Sequence, residues 1–116
     1  MGLLTGKTVV VTGVLTDQSI AFHIARLAQE EGADVILTSF GRTMSLTRRS
    51  ATRLPTDPPI VELDVTNDDD LAQFADRLGE HCETVDGLVH SIGFAPESAL
   101  GGNFLHTSWS DVALSL

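Results

Sequence analysis

The chain has 116 residues, enough for one domain that buries roughly 65% of its unfolded surface and too few for two. Hydrophobic content of 42% and charged content of 20% are those of a soluble globular protein, and the apolar runs are far too short for a membrane span. The net charge of −9 repels nucleic acid and anionic lipid at long range, so neither is an expected partner.

Taken in order, residues 7–12 read as a first strand after a turn at Gly6. Thr12-Gly13-Val14-Leu15-Thr16-Asp17-Gln18-Ser19 then forms a loop, and Ile20, Ile24, Leu27 and Ala28 recur at helical spacing, predicting a helix over 19–31 stopped by Gly32. Residues 33–39 are a short β-rich run of the kind buried on both faces of a parallel sheet, which completes a right-handed βαβ unit. Residues 43–54 read as a helix by their length, against a composition rich in serine and threonine, which disfavour helix mildly. Pro55, Pro58 and Pro59 end that segment and lead to a third strand over 60–65. Thr66 or Asn67 caps the next helix, whose first turn, Asp68-Asp69-Asp70, suits the helix dipole. Residues 85–92 give a fourth strand, and residues 108–116 open a further helix. The alternation predicts an α/β fold: a Rossmann-like doubly wound parallel sheet of four strands in the order 3-2-1-4, incomplete, with ligand bound over the carboxyl ends of strands one and four.

The loop after strand one has the architecture of a dinucleotide-phosphate site: a glycine lets backbone approach a diphosphate, and the N–H groups of the new helix face the anion. Its spelling departs from G-x-G-x-x-G, since Gly13 is followed six residues later by Ser19. Gly13, Val14, Leu15, Ser19 and Ile20 are the candidate contacts here, and Ser19 serves equally as an N-cap. Strand two ends Ser39-Phe40-Gly41-Arg42, without the carboxylate that marks NAD sites. Phe40 reads as core or as a platform for adenine, while Ser39 and Arg42 are candidates to accept a 2′-phosphate, so NADH and NADPH both stay open. Asp64, followed by Val65, is either an adenine contact or a cap for the next helix. Ser91, Ile92 and Gly93 close strand four, where Gly93 would admit a nicotinamide ribose.

Other chemistries find little support. His23, His81, His90 and His106 have no metal-ligand spacing among themselves or with Cys82, so no metal is expected, and one cysteine builds no internal disulfide. Arg42, Arg48, Arg49 and Arg53 fall within twelve positions, either as a solvated helix face or as a contact for a cofactor phosphate or acidic partner. The amino terminus lacks a secretory signal, which makes the cytoplasm the expected location. A phosphoreceiver domain would need paired acidic residues after strand one, and a methyltransferase an acidic end to strand two; neither is present.

Three segments together carry a resemblance: Gly13 through Ser19-Ile20-Ala21-Phe22-His23-Ile24-Ala25-Arg26, then Glu62-Leu63-Asp64-Val65, then Val89-His90-Ser91-Ile92-Gly93-Phe94. They resemble the divergent short-chain dehydrogenase/reductases that act as enoyl-acyl-carrier-protein reductases, most of all the mycobacterial NADH-dependent form of mycolic acid synthesis. The resemblance implies NADH as cofactor and an enoyl thioester on acyl carrier protein or CoA as substrate. It also implies diphosphate contacts at Ser19 and Ile20, adenine contacts at Phe40, Asp64 and Val65, Ile92 and Gly93 beside the nicotinamide, Phe94 towards the substrate, and a homotetramer. The family's catalytic tyrosine and lysine, six residues apart, have no counterpart: the chain contains no tyrosine, and its single lysine is Lys7. Residues 1–116 are therefore expected to form a single, partial dinucleotide-binding domain without catalytic residues, its catalytic half absent. The competing expectation is a stand-alone NAD(P)(H)-binding module without chemistry.

Overall fold

The computed structural model describes residues 2–93, 100 and 105–115. Four strands, β1 (Thr8–Val11), β2 (Asp34–Ser39), β3 (Ile60–Glu62) and β4 (Gly87–Val89), form a parallel sheet in the order β3-β2-β1-β4. The connections carry α1 (Ile20–Glu30), a 3₁₀ turn (Gly41–Thr43) running into α2 (Met44–Ala51), and α3 (Asp68–Gly79); α4 (Trp109–Ser115) follows β4. This is the expected α/β topology, an incomplete Rossmann-like fold with a strand-order reversal between β1 and β4.

Alternation along the central strands sends neighbouring side chains to opposite faces. Val11, Val35 and Leu37 join Val14, Phe22, Ala25, Ala28, Ala51 and Leu54 in the larger core cluster. Val10, Ile36 and Val61 form the smaller cluster, against Phe74, Leu78 and Cys82. Cys82 is thus a packing residue.

The strands are shorter than the apolar runs that announced them, because ladder pairing ends where neighbours diverge. β4 was expected over 85–92 but pairs only over Gly87–Val89, opposite Val9 to Val11. Beyond it, a threonine side chain takes over the ladder: Thr12 donates its N–H and hydroxyl to the Val89 carbonyl, and its Oγ1 accepts the Ser91 N–H. β3 likewise stops at Glu62. Leu63 still donates to the Ser39 carbonyl, but the Asp64 N–H turns to the carboxylate of Asp70. The helix expected over 43–54 spans only Met44–Ala51. Asn67 is the cap of α3, accepting the Asp70 N–H at 3.0 Å, and Gly32 ends α1 in the left-handed region at φ +95°.

Candidate functional site

A cleft of about 500 Å³ opens over the carboxyl ends of all four strands. The loop after β1 contributes Gly13, Val14 and Leu15; the β2 end contributes Ser39 and Phe40; the β3 end contributes Asp64 and Val65; and the β4 end contributes Ser91, Ile92 and Gly93. Leu114 of α4 also reaches the lining. Residues chosen at four separate strand ends thus meet in one place, at the topological switch point. Ser19 and Ile20 stand at the head of α1, outside the lining itself, and Phe94 lies outside the described residues. A second, more polar cavity of about 530 Å³ sits at the opposite end of the sheet, between Gln29, Asp34, Asp57 and His81.

Gly13 is required more stringently than a phosphate turn alone demands. Its φ is +85°, and a Cβ built on it would stand 2.0 Å from the carbonyl oxygen of Ser91. The glycine therefore lets the loops after β1 and β4 cross in direct contact, in addition to any approach by a ligand. Gly93, by contrast, faces open space, with nothing within 4 Å of a Cβ.

Ser19 occupies the N-cap position of α1 but does not cap it with its side chain. Its Oγ instead accepts the N–H groups of Leu15 and Thr16, at 3.2 and 3.1 Å, closing the loop backwards onto itself. Two consequences follow. Neither bond uses the hydroxyl's own hydrogen, and the first N–H groups of α1 carry no side-chain cap.

The loop's carbonyls are held from α2. Thr47, fully buried, donates its hydroxyl to the Val14 carbonyl at 2.7 Å, and Ser50 donates to the Leu15 carbonyl at 2.8 Å. Thr47 Oγ1 also lies 2.8 Å from Ser39 Oγ, which is 3.0 Å from Thr43 Oγ1, whose hydroxyl donates to the Phe40 carbonyl. Sequence reading discounted this segment for its hydroxyl content and missed Thr47 and Ser50. The available signal was the same serine and threonine run, spaced so that Thr47, Ser50 and Ala51 share one buried face. Ser39 is enclosed in this network, so it is not the open phosphate acceptor that its position suggested.

At the β2 end, Phe40 is 37% exposed and belongs to neither core cluster, which removes its core reading. Asp64 does not cap α3, since Asn67 does. Its Oδ1 accepts from both the N–H and the hydroxyl of Thr66, and those bonds, the hydroxyl's foremost, hold the carboxyl below its ordinary pKa. Val65 is exposed, whereas the Val14 side chain is buried in the core, so only its backbone is available to a ligand. Of the arginine group, Arg53 pairs with Asp17 across the loop, and Arg42, Arg48 and Arg49 are exposed. Among the described residues, no three His, Cys, Asp or Glu side chains are grouped to hold a metal ion, and no helix is long and apolar enough to cross a membrane.

Comparison with known proteins bears directly on this arrangement. Residues 13–116 match the family described as enoyl-(acyl carrier protein) reductase. The chain belongs to that family. It is 50% identical over 117 residues to the NADH enoyl-[acyl-carrier-protein] reductase of Mycolicibacterium smegmatis, covering 97% of this chain and 43% of that protein. It is 45% identical to the Mycobacterium avium enzyme of the same name, over 97% of this chain and 42% of the relative. The corresponding reductase of Neisseria meningitidis is 41% identical, over 90% and 40%. The chain thus spans about two-fifths of the length of these enoyl reductases.

Proposed function

We propose that the cleft holds NADH and that this chain is the cofactor-binding part of an enoyl-acyl-carrier-protein reductase. The carrying observation is convergence: Gly13, Phe40, Asp64 and Gly93, from four different strand ends, line one cleft at the switch point. The chemistry of the lining fits a dinucleotide. Phe40 offers a half-exposed ring for adenine, and Asp64 keeps Oδ2 clear of the Thr66 bonds to accept an amino hydrogen. Ser19 has a hydroxyl hydrogen that neither of its loop bonds uses, beside N–H groups without a side-chain cap at a helix head, the arrangement that suits a diphosphate. Gly93 leaves room beside the β4 end for the nicotinamide ribose.

Bound there, NADH would supply a hydride for the β-carbon of a trans-2-enoyl thioester carried on acyl carrier protein or CoA, leaving NAD+ and an enolate that takes up a proton at its α-carbon. This chain's residues hold and orient the cofactor. Stabilising the resulting enolate needs hydrogen-bond donors at the substrate carbonyl. The sequence has no tyrosine, and Lys7 precedes β1, at the end of the sheet away from the cleft. Neither residue type therefore supplies such a donor at this cleft.

Titration with NADH, followed by the nicotinamide fluorescence, tests the assignment. Saturable binding is expected. Ser19→Ala should weaken it about tenfold, the scale of a hydrogen bond to a charged group. A protein that folds and does not bind NADH would sink the reading.

A further inference from the structure

The ribose of an adenine dinucleotide carries either a free 2′-hydroxyl or a 2′-phosphate. Selection against the phosphate ordinarily comes from an acidic side chain at the end of the second strand, which bonds the ribose hydroxyls and repels the added charge. Here β2 ends at Ser39 and runs on through Phe40, Gly41, Arg42 and Thr43. Gly41 adopts φ +54°, and a Cβ there would meet nothing within 4 Å, so the place for a discriminating side chain is empty space. Asp64 is the single carboxylate among the described lining residues, and its Oδ1 is already held by Thr66.

Arg42 lies between Phe40 and Thr43, both of which line the cleft, and its side chain is exposed. The ion pairs among the described residues use Arg26, Arg53 and Arg77 and leave Arg42 out. A guanidinium with its full fork of donors is the group that matches a phosphate bidentately. In a protein of net charge −9, this basic turn beside the adenosine end of the cleft is a local exception to the prevailing field.

We infer that this chain accepts NADPH as well as NADH, with Arg42 receiving the 2′-phosphate. The inference rests on the dinucleotide reading of the cleft, and it departs from the mycobacterial relatives, whose names specify NADH.

The test is parallel titration of the protein, at the length its gene encodes, with NADH and with NADPH, at low and high salt. The two dissociation constants should lie within about tenfold of each other, with only the NADPH value rising steeply with salt, as expected for a charge contact screened by ions. Arg42→Ala should weaken NADPH about tenfold or more, the scale of a lost charge-assisted bond, and leave NADH within about twofold. Gly41→Asp should restore discrimination against NADPH, while Gly41→Asn, with the same backbone demand and no charge, should not. NADH binding with NADPH about a hundredfold weaker in the unaltered protein overturns the inference and leaves the cleft assignment standing. Equal binding that ignores Arg42→Ala overturns the role given to Arg42. Failure of both nucleotides to bind removes the cofactor reading itself.

Discussion

The two faces of the sheet are built to different standards. On one, α1 and α2 cover Val11, Val35 and Leu37, and α1 alone buries Ala21, Phe22, Ala25 and Ala28. On the other, the buried apolar residues are Val10, Ile36 and Val61; α3 covers them with half-buried Phe74 and Leu78, and its one buried residue is Asp70. β4 sits at the sheet edge with Leu88 59% exposed. The dense face is the one from which the loop after β1 and the hydroxyls of α2 are held. The loop after β1, whose carbonyls Thr47 and Ser50 hold, is therefore anchored on the well-packed face, to which the edge strands β3 and β4 add only the partly buried Ile60 and Val89. Pre-organisation is concentrated at that loop, where the proposed diphosphate would have to be met by fixed backbone donors.

The largest effect expected is where the loops after β1 and β4 cross. Gly13→Val places a β-branched side chain at φ +85° and into the Ser91 carbonyl. Backbone strain and overpacking together come to about 4 kcal/mol, and chemical denaturation should show the loss or an unfolded product. Next, paired truncations compare the faces directly. Leu37→Ala, from a fully buried position, should cost about 3 kcal/mol, and Phe74→Ala, from a half-buried one, about 1.5 kcal/mol in spite of its larger side chain. Equal losses in urea titrations would break the contrast. Thr47→Val keeps the shape but strips the Val14 carbonyl of its buried partner, for about 1–2 kcal/mol. It should also weaken nucleotide binding by more than Leu37→Ala does, because it frees the loop itself.

The smallest effect concerns Asp64. Its pKa is depressed in the folded protein, so the associated stabilisation is present above the ordinary aspartate value near 3.8 and is lost as pH falls through the depressed one. Thr66→Val should move the Asp64 carboxyl back up towards 3.8, as followed by NMR titration. A pKa that does not respond would remove Thr66 as its cause.

Much of this was legible in the residues. Helical spacing in Ile20 to Ala28, the buried character of Val35 to Leu37 and the proline stop at Pro55 carry enough local information to give the elements and the sheet order. The candidate contacts were legible because strand ends in such a sheet converge on one side. Less legible were the limits of β3 and β4, since a ladder ends where its partner turns away, and the partner is remote in sequence. The α2 segment was the hardest: propensity counted Thr47 and Ser50 against a helix, whereas burial makes their hydroxyls the donors that satisfy the Val14 and Leu15 carbonyls.

By itself, the sequence determined the order of elements and which residues stand at the strand ends, because propensity, apolar periodicity and turn chemistry are local properties of the chain. Only the tertiary structure decided what those residues do. It turned Ser19 back onto Leu15 and Thr16, set Gly13 against Ser91, enclosed Ser39 and left Arg42 exposed. The first three outcomes depend on a hydrogen bond or close approach between segments far apart in sequence or on opposite sides of a turn, and such contacts are set by packing, which no local pattern contains.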